Sequence, residues 1–180
     1  MNDRHREGPA EFALIGDLTE NESDLCGKLL DVERGGECVI YINSLGGSPY
    51  SAIAIASLIL LRGLRATGVV MGECSSAAVW PFAACTKRLV TQYSVLLFHP
   101  MKWQSEENVA LAEASEWARH FGQLETDMDR LLAELFCVPD EKIQEWVKPG
   151  RYVSGPELAK AGLAELVKLE PLHLLRVQRK

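Results

Sequence analysis

The chain has 180 residues, 47% of them apolar and 24% charged, with a formal net charge of −6 and a pI of about 5.3. That length suits a single domain able to bury its own core, and the acidic balance excludes the basic footprint of a nucleic-acid partner. Five cysteines, none in a CxxC pair, exclude a zinc-site pattern and a paired disulfide framework and point to a reducing cytosol.

Residues 1–10 are polar and read as a loose N-terminus; residues 11–170 read as the domain. Residues 171–180 read as a solvated tail ending in Arg176, Arg179 and Lys180. The opening MNDRHREGPAEF lacks the apolar run of a signal peptide. The stretch Ala52 to Leu61, broken by Ser57, is about half a membrane span. A soluble, cytoplasmic protein with no membrane partner is expected.

A short strand is expected around Phe12–Ile15. A helix continues to about Val32, capped by Thr19 or Asn21, and Gly35-Gly36 breaks it. Cys38 to Ile42 reads as a buried strand and Asn43 to Ser48 as a tight polar turn. Pro49 suits the first turn of a helix. Because Ser51 to Leu61 is apolar nearly all round, that helix should be buried on all sides; Gly63 ends it. Thr67 to Met71 reads as a strand and Gly72 to Ser76 as a turn. Ala77 to Cys85 reads as a short helix bent by Pro81, and Val95 to Phe98 as a strand closing on His99-Pro100. Strand, turn and helix thus occur twice in succession, which indicates an α/β or spiral ββα architecture.

Ser105 to Cys137 reads as one long helix, with Ser105 as cap and Glu106 and Glu107 favourable beside it. Ala110, Ala114, Trp117, Phe121, Leu124, Met128, Leu131 and Leu135 form a heptad seam. Part of that seam is expected to pack on a partner subunit. Asp140 caps a short helix to about Val147, and Lys148-Pro149-Gly150 is a turn. Ser154 caps a last helix ended by Gly162, and Ala164 to Val167 adds a strand.

Three features carry candidate chemistry. Gly46-Gly47 comes directly after a strand and lets another backbone approach closely. Ser76 lies at a strand-to-helix turn, where helix N–H groups favour a developing oxyanion. The same position suits a plain helix cap, a role Ser75 could fill equally. His99 ends an apolar strand and suits either a general base or a hydrogen-bonded structural histidine. His5, His120 and His173 read as solvated or structural; no metal or cofactor is expected.

Taken together, VIYINSLGGS at 39–48, GECSSAA at 72–78, LLFHP at 96–100 and RYVSGPELAKAGLAEL at 151–166 resemble the Clp protease proteolytic subunit family. The likeness runs over about residues 11–167. It implies a ClpP/crotonase-like spiral of ββα units with a protruding handle helix. It also implies serine peptidase chemistry on peptides or unfolded protein. Carried over, Ser76 is the nucleophile, His99 the base, and Gly47 and Ala77 supply the two oxyanion-hole N–H groups. The family also assembles as rings, stacked through the handle helix, and engages a AAA+ ATPase.

The chain departs from the family pattern in ways that bear on activity and assembly. The family's third triad position falls on Gly150, which has no acid; Glu145, Glu157 or another subunit's acid are candidates to replace it. Lys148-Pro149 stands where the family has a charged pair that joins rings. The segment ahead of Glu11 is also short for the family's axial segment, which leaves an AAA+ ATPase partner open but weakly supported. The expectation is a serine-type endopeptidase weakened at its third triad position. The alternatives are a catalytically silent structural subunit and, more remotely, a crotonase-like acyl-CoA enzyme. A Ser–Lys dyad using Lys87 or Lys102 is a variant of the first.

Overall fold

The computed structural model describes residues 8–104 and 108–170. These fall into two units by their contacts. One holds everything described up to Leu96 and from Val153 onward; the other is Leu97–Tyr152.

In the first unit, alternating apolar residues build a parallel sheet of β1 (Ala10–Asp17), β2 (Glu37–Gly46), β3 (Arg65–Ser75), β4 (Lys87–Thr91) and β7 (Glu165–Val167), in that order. β5 (Val95–Phe98) pairs with β3, and β6 (Arg151–Ser154) pairs with β5. Parallel neighbours need crossovers, and these are α1 (Leu18–Asp31), α2 (Pro49–Leu61) and a 3-10 turn (Ser76–Ala78) running into α3 (Val79–Ala84). Leu14, Leu18, Leu25, Leu29, Ile40, Ile42, Ile55, Ile59 and Phe82 are fully buried. Each such side chain contributes about 1.5–3 kcal/mol by leaving water.

Several elements differ from expectation for local reasons. Asp17, not Thr19 or Asn21, caps α1, because its Oδ1 accepts from the Thr19 N–H at 2.7 Å. Asn21 instead donates back to the Asp17 and Ile15 carbonyls. α2 buries Ser51, Ala52, Ile55, Ala56 and Ile59, yet Leu60 and Leu61 remain 48% and 74% exposed. Its uniformly apolar composition conceals a face that its own unit leaves uncovered. β3 continues through Gly72 to Ser75, in place of the expected turn, since Ser44 still pairs with Cys74. β4 and β6 have no clear signal in the sequence: one is a short mixed-polarity stretch, the other begins directly after Gly150. α6 (Gly155–Lys160) begins as expected, with Ser154 and Glu157 closing a capping box. Gly155 is required at its start, because a Cβ there would lie 2.1 Å from the Thr91 carbonyl oxygen.

The second unit is built on α4 (Leu111–Phe136) and α5 (Asp140–Val147). Met128, Leu132, Ala133 and Phe136 of α4 and Ile143, Trp146 and Val147 of α5 are buried. Phe98 adds its ring to Trp146 at 5.1 Å. α4 begins six residues later than the pattern suggests. Asn108 is left-handed (φ 64) and Ala110 is extended at the N-cap position, so the helix cannot extend further back. The expected cap, Ser105, lies outside the described residues, as do Glu106 and Glu107. Ahead of them the chain returns along α4: the Met101 N–H bonds Glu125 Oε1 at 2.7 Å, and Trp103 stacks on Phe121 at 5.7 Å. Trp103 also meets Trp117 edge-on at 5.8 Å, so it partly covers two of the seam residues.

Candidate active site

In a parallel sheet the carboxyl ends of neighbouring strands open on one side, and that is where such folds place their chemistry. β2 ends at Gly46 and β3, its neighbour, at Ser75. The two turns are tied together below the open end. Asn43 Oδ1 accepts from the Glu73 N–H at 3.0 Å. The buried Ser44 hydroxyl donates to the Gly16 carbonyl at 2.6 Å and accepts from the Gly46 N–H at 3.2 Å.

Above that tie, Gly46 lies directly against Ser76. A Cβ on Gly46 would sit 2.7 Å from Ser76 Cβ, 2.7 Å from the Ser75 carbonyl oxygen and 3.0 Å from the Ala77 nitrogen. Only a glycine, here at φ +99, allows this approach. Gly47 is pinned from the other side: a Cβ there would meet Thr19 Oγ1 at 2.6 Å and Asp17 Oδ1 at 3.0 Å. Thr19 Oγ1 in turn accepts from the Ser48 N–H at 2.8 Å. The start of α1 therefore sets the Gly47 turn, although Asp17 and Thr19 are remote from it in sequence. Residue type alone marks Asp17 as turn-forming; nothing local to it signals this second role.

The two serines separate cleanly. Ser75 is buried, extended (φ −112, ψ 153) and at the N-cap position, but its hydroxyl donates to Glu73 Oε1 at 2.6 Å instead of capping. Ser76 is half-buried and left-handed, at φ 53. A non-glycine residue in that region carries strain and is held there by its surroundings. A cap has extended φ/ψ, so Ser76 is not one. It stands on a sharp strand-to-helix turn, the geometry that presents a nucleophile's hydroxyl outward. Ala77 is at the start of the 3-10 turn, where N–H groups have no intrahelical acceptor.

His99 and Gly150 both belong to the second unit and meet there. A Cβ on Gly150 would lie 3.3 Å from His99 Cβ and 3.6 Å from the Phe98 carbonyl oxygen, and Gly150 has φ +115. His99 is half-buried, and its Nδ1 lies 2.6 Å from the Pro100 carbonyl oxygen. A carbonyl oxygen only accepts, so a hydrogen bond here has Nδ1–H as donor, and in the neutral ring that tautomer has its lone pair on Nε2. The two acids considered as substitutes are otherwise engaged. Glu145 lies 3.6 Å from the Lys142 ammonium, and Glu157 closes the capping box of α6. Among the described residues no group of three His, Cys, Asp or Glu is placed to hold a metal ion, and no helix is long and apolar enough to cross a membrane.

This arrangement of strands and helices is an α/β fold shared with the ClpP proteolytic subunits. A ClpP1 mutant from Listeria monocytogenes superposes with a TM-score of 0.77, covering 91% of this chain and 92% of its own, at 20% identity. At that identity the likeness is one of fold. The model of the Clp protease family matches residues 18–170, and the chain belongs to that family. No curated protein sequence matches it.

Proposed function

We propose that the protein is a serine-type endopeptidase of the Clp proteolytic-subunit kind, acting in the cytoplasm on peptides or unfolded protein. Ser76 attacks the scissile carbonyl, and His99 Nε2 takes its proton and later returns it to the leaving amine. The N–H groups of Gly47 and Ala77 receive the developing oxyanion, a contribution of about 10²–10³ in rate for each donor in comparable sites. The observation that carries the reading is the left-handed Ser76, held at φ 53 against Gly46 on a strand-to-helix turn. A helix N-cap, the other role open to this serine, would instead be extended.

Family membership supports assembly as a homo-oligomeric ring, with the half-covered seam of α4 as the surface through which rings stack. A fluorophosphonate or β-lactone probe tests the chemistry. It should label wild type on Ser76 and leave Ser76→Ala unlabelled. An assembled protein that takes up no probe is instead a silent structural subunit, the reading that the missing acid at Gly150 favours.

A further inference from the structure

Removing the triad acid normally frees the imidazole to adopt the wrong tautomer, which cost about 10⁴ in turnover in a related triad. In this chain His99 is not free. Its Nδ1–H is held by the Pro100 carbonyl at 2.6 Å. That carbonyl belongs to a trans peptide whose other end, the Met101 N–H, is held by Glu125 Oε1 at 2.7 Å. The C=O and N–H of a planar trans peptide point in opposite directions. One peptide group therefore faces a carboxylate on one side and the imidazole on the other.

We propose that Glu125 is the acid of this site, acting on His99 through the Pro100–Met101 peptide. This rests on reading His99 as the base. The order of donors is continuous: Nδ1–H donates to the Pro100 oxygen, and the Met101 N–H of the same peptide donates to the carboxylate. A carboxylate accepting from the N–H draws peptide electron density toward the carbonyl oxygen and strengthens it as an acceptor. The imidazolium formed during acylation then meets an enhanced dipole where related enzymes have a full negative charge. Glu125 touches neither substrate nor Ser76 in this scheme, so it is a positioning residue. The arrangement is supported from below. Trp103 packs on Phe121, one turn before Glu125 on α4, and ties the returning segment to the helix. It also leaves no need for a side chain at Gly150, whose Cβ would crowd His99.

The test is the tautomer of His99 in the full-length protein, read by long-range 1H–15N correlation of the neutral ring. His99→Gln assigns the signal among the four histidines. Wild type should show Nδ1–H. Glu125→Gln keeps an acceptor for the Met101 N–H and should keep that tautomer. Glu125→Ala should move the ring toward Nε2–H and slow probe acylation by about 10–100-fold, with KM for a peptide substrate unchanged. Loss of the tautomer in Glu125→Gln as well would show that the charge itself is needed, which also supports the proposal. An Nε2–H tautomer in wild type, or an unchanged ratio in Glu125→Ala, overturns it. The spectrum requires no turnover. A wild-type protein that fails to label at Ser76 would therefore refute the peptidase reading while leaving the role of Glu125 decided on its own.

Discussion

Restoring an acid at the family's third triad position looks like the obvious repair, and the structure predicts that Gly150→Asp will fail. Gly150 has φ +115, outside the regions that an L-residue occupies comfortably, and holding a side chain there costs about 1–3 kcal/mol. Its Cβ would also lie 3.3 Å from His99 Cβ, closer than packed carbons normally sit, which adds about 1–3 kcal/mol of overpacking. The sum is roughly 2–6 kcal/mol, and in a domain of this size each kcal/mol lowers Tm by about 2–4 °C. The aspartate would moreover compete with the Pro100 carbonyl for the one Nδ1 proton. Thermal melts should place Gly150→Asp and Gly150→Ala together, roughly 5–20 °C below wild type by this arithmetic. Probe acylation at Ser76 should be no faster in Gly150→Asp than in wild type. An aspartate variant that melts at or above wild type and acylates faster, while the alanine variant does not, would refute the reasoning.

Packing and burial elsewhere in the chain set three further outcomes. Gly46→Ala places a Cβ within 3.0 Å of Ser75, Ser76 and Ala77 atoms and should lose more than about 4 kcal/mol in a denaturant titration. Gly27→Ala, in the open middle of α1, should gain about 0.5–1 kcal/mol and serves as its control. Burial pushes the Cys85 thiol up to about 12 and raises those of Cys74 and Cys38, so iodoacetamide should modify the exposed Cys137 first. The three buried cysteines should react only on unfolding, as mass spectrometry of the alkylated protein can show. Burial also raises the Asp129 carboxyl above its ordinary value. Gln144 opposes this through a 2.8 Å hydrogen bond, Glu125 and Asp140 add to it, and Lys148 works against it. A raised folded-state pKa means stability present at low pH and lost as pH rises through that value. Asp129→Asn should therefore be more stable than wild type at neutral pH. The gap should close on acidification; a gap that widens instead would contradict the sign.

How far the sequence discloses this molecule depends on whether the deciding interaction is local. Ser154 as a cap, Pro49 at the first turn of α2 and Gly162 after α6 are all short-range choices, and each is found where its chemistry predicts. β5 coincides with the apolar run Val95–Phe98 because a buried strand needs little more than that pattern. The start of α4 is not legible, because helix propensity runs on through Glu106 and Glu107, whereas the left-handed Asn108 obeys the fold around it. Residue type cannot resolve Ser75 from Ser76, since both are good caps. What separates them is φ, a property of the folded turn that lies against Gly46. Glu125 carries no signal at all. It is one acid among several on an amphipathic helix, and its partner is a backbone N–H that any residue but proline at position 101 would provide.

The pinning of the Gly47 turn by Asp17 and Thr19 has a consequence for how the chain can be cut and rejoined. The first strand and helix look dispensable by position, lying at the sheet's edge and far ahead of Ser76 in the chain. Yet Thr19 Oγ1 receives the Ser48 N–H, and Asp17 holds Thr19 in place. A permutant opened between α1 and β2, at Arg34–Gly36, leaves these contacts to be remade from the far end of the chain. One opened within residues 16–20 severs the brace itself. Of two breaks on either side of a single helix, the first should yield a working turn and the second a sheet that folds with its loop unset.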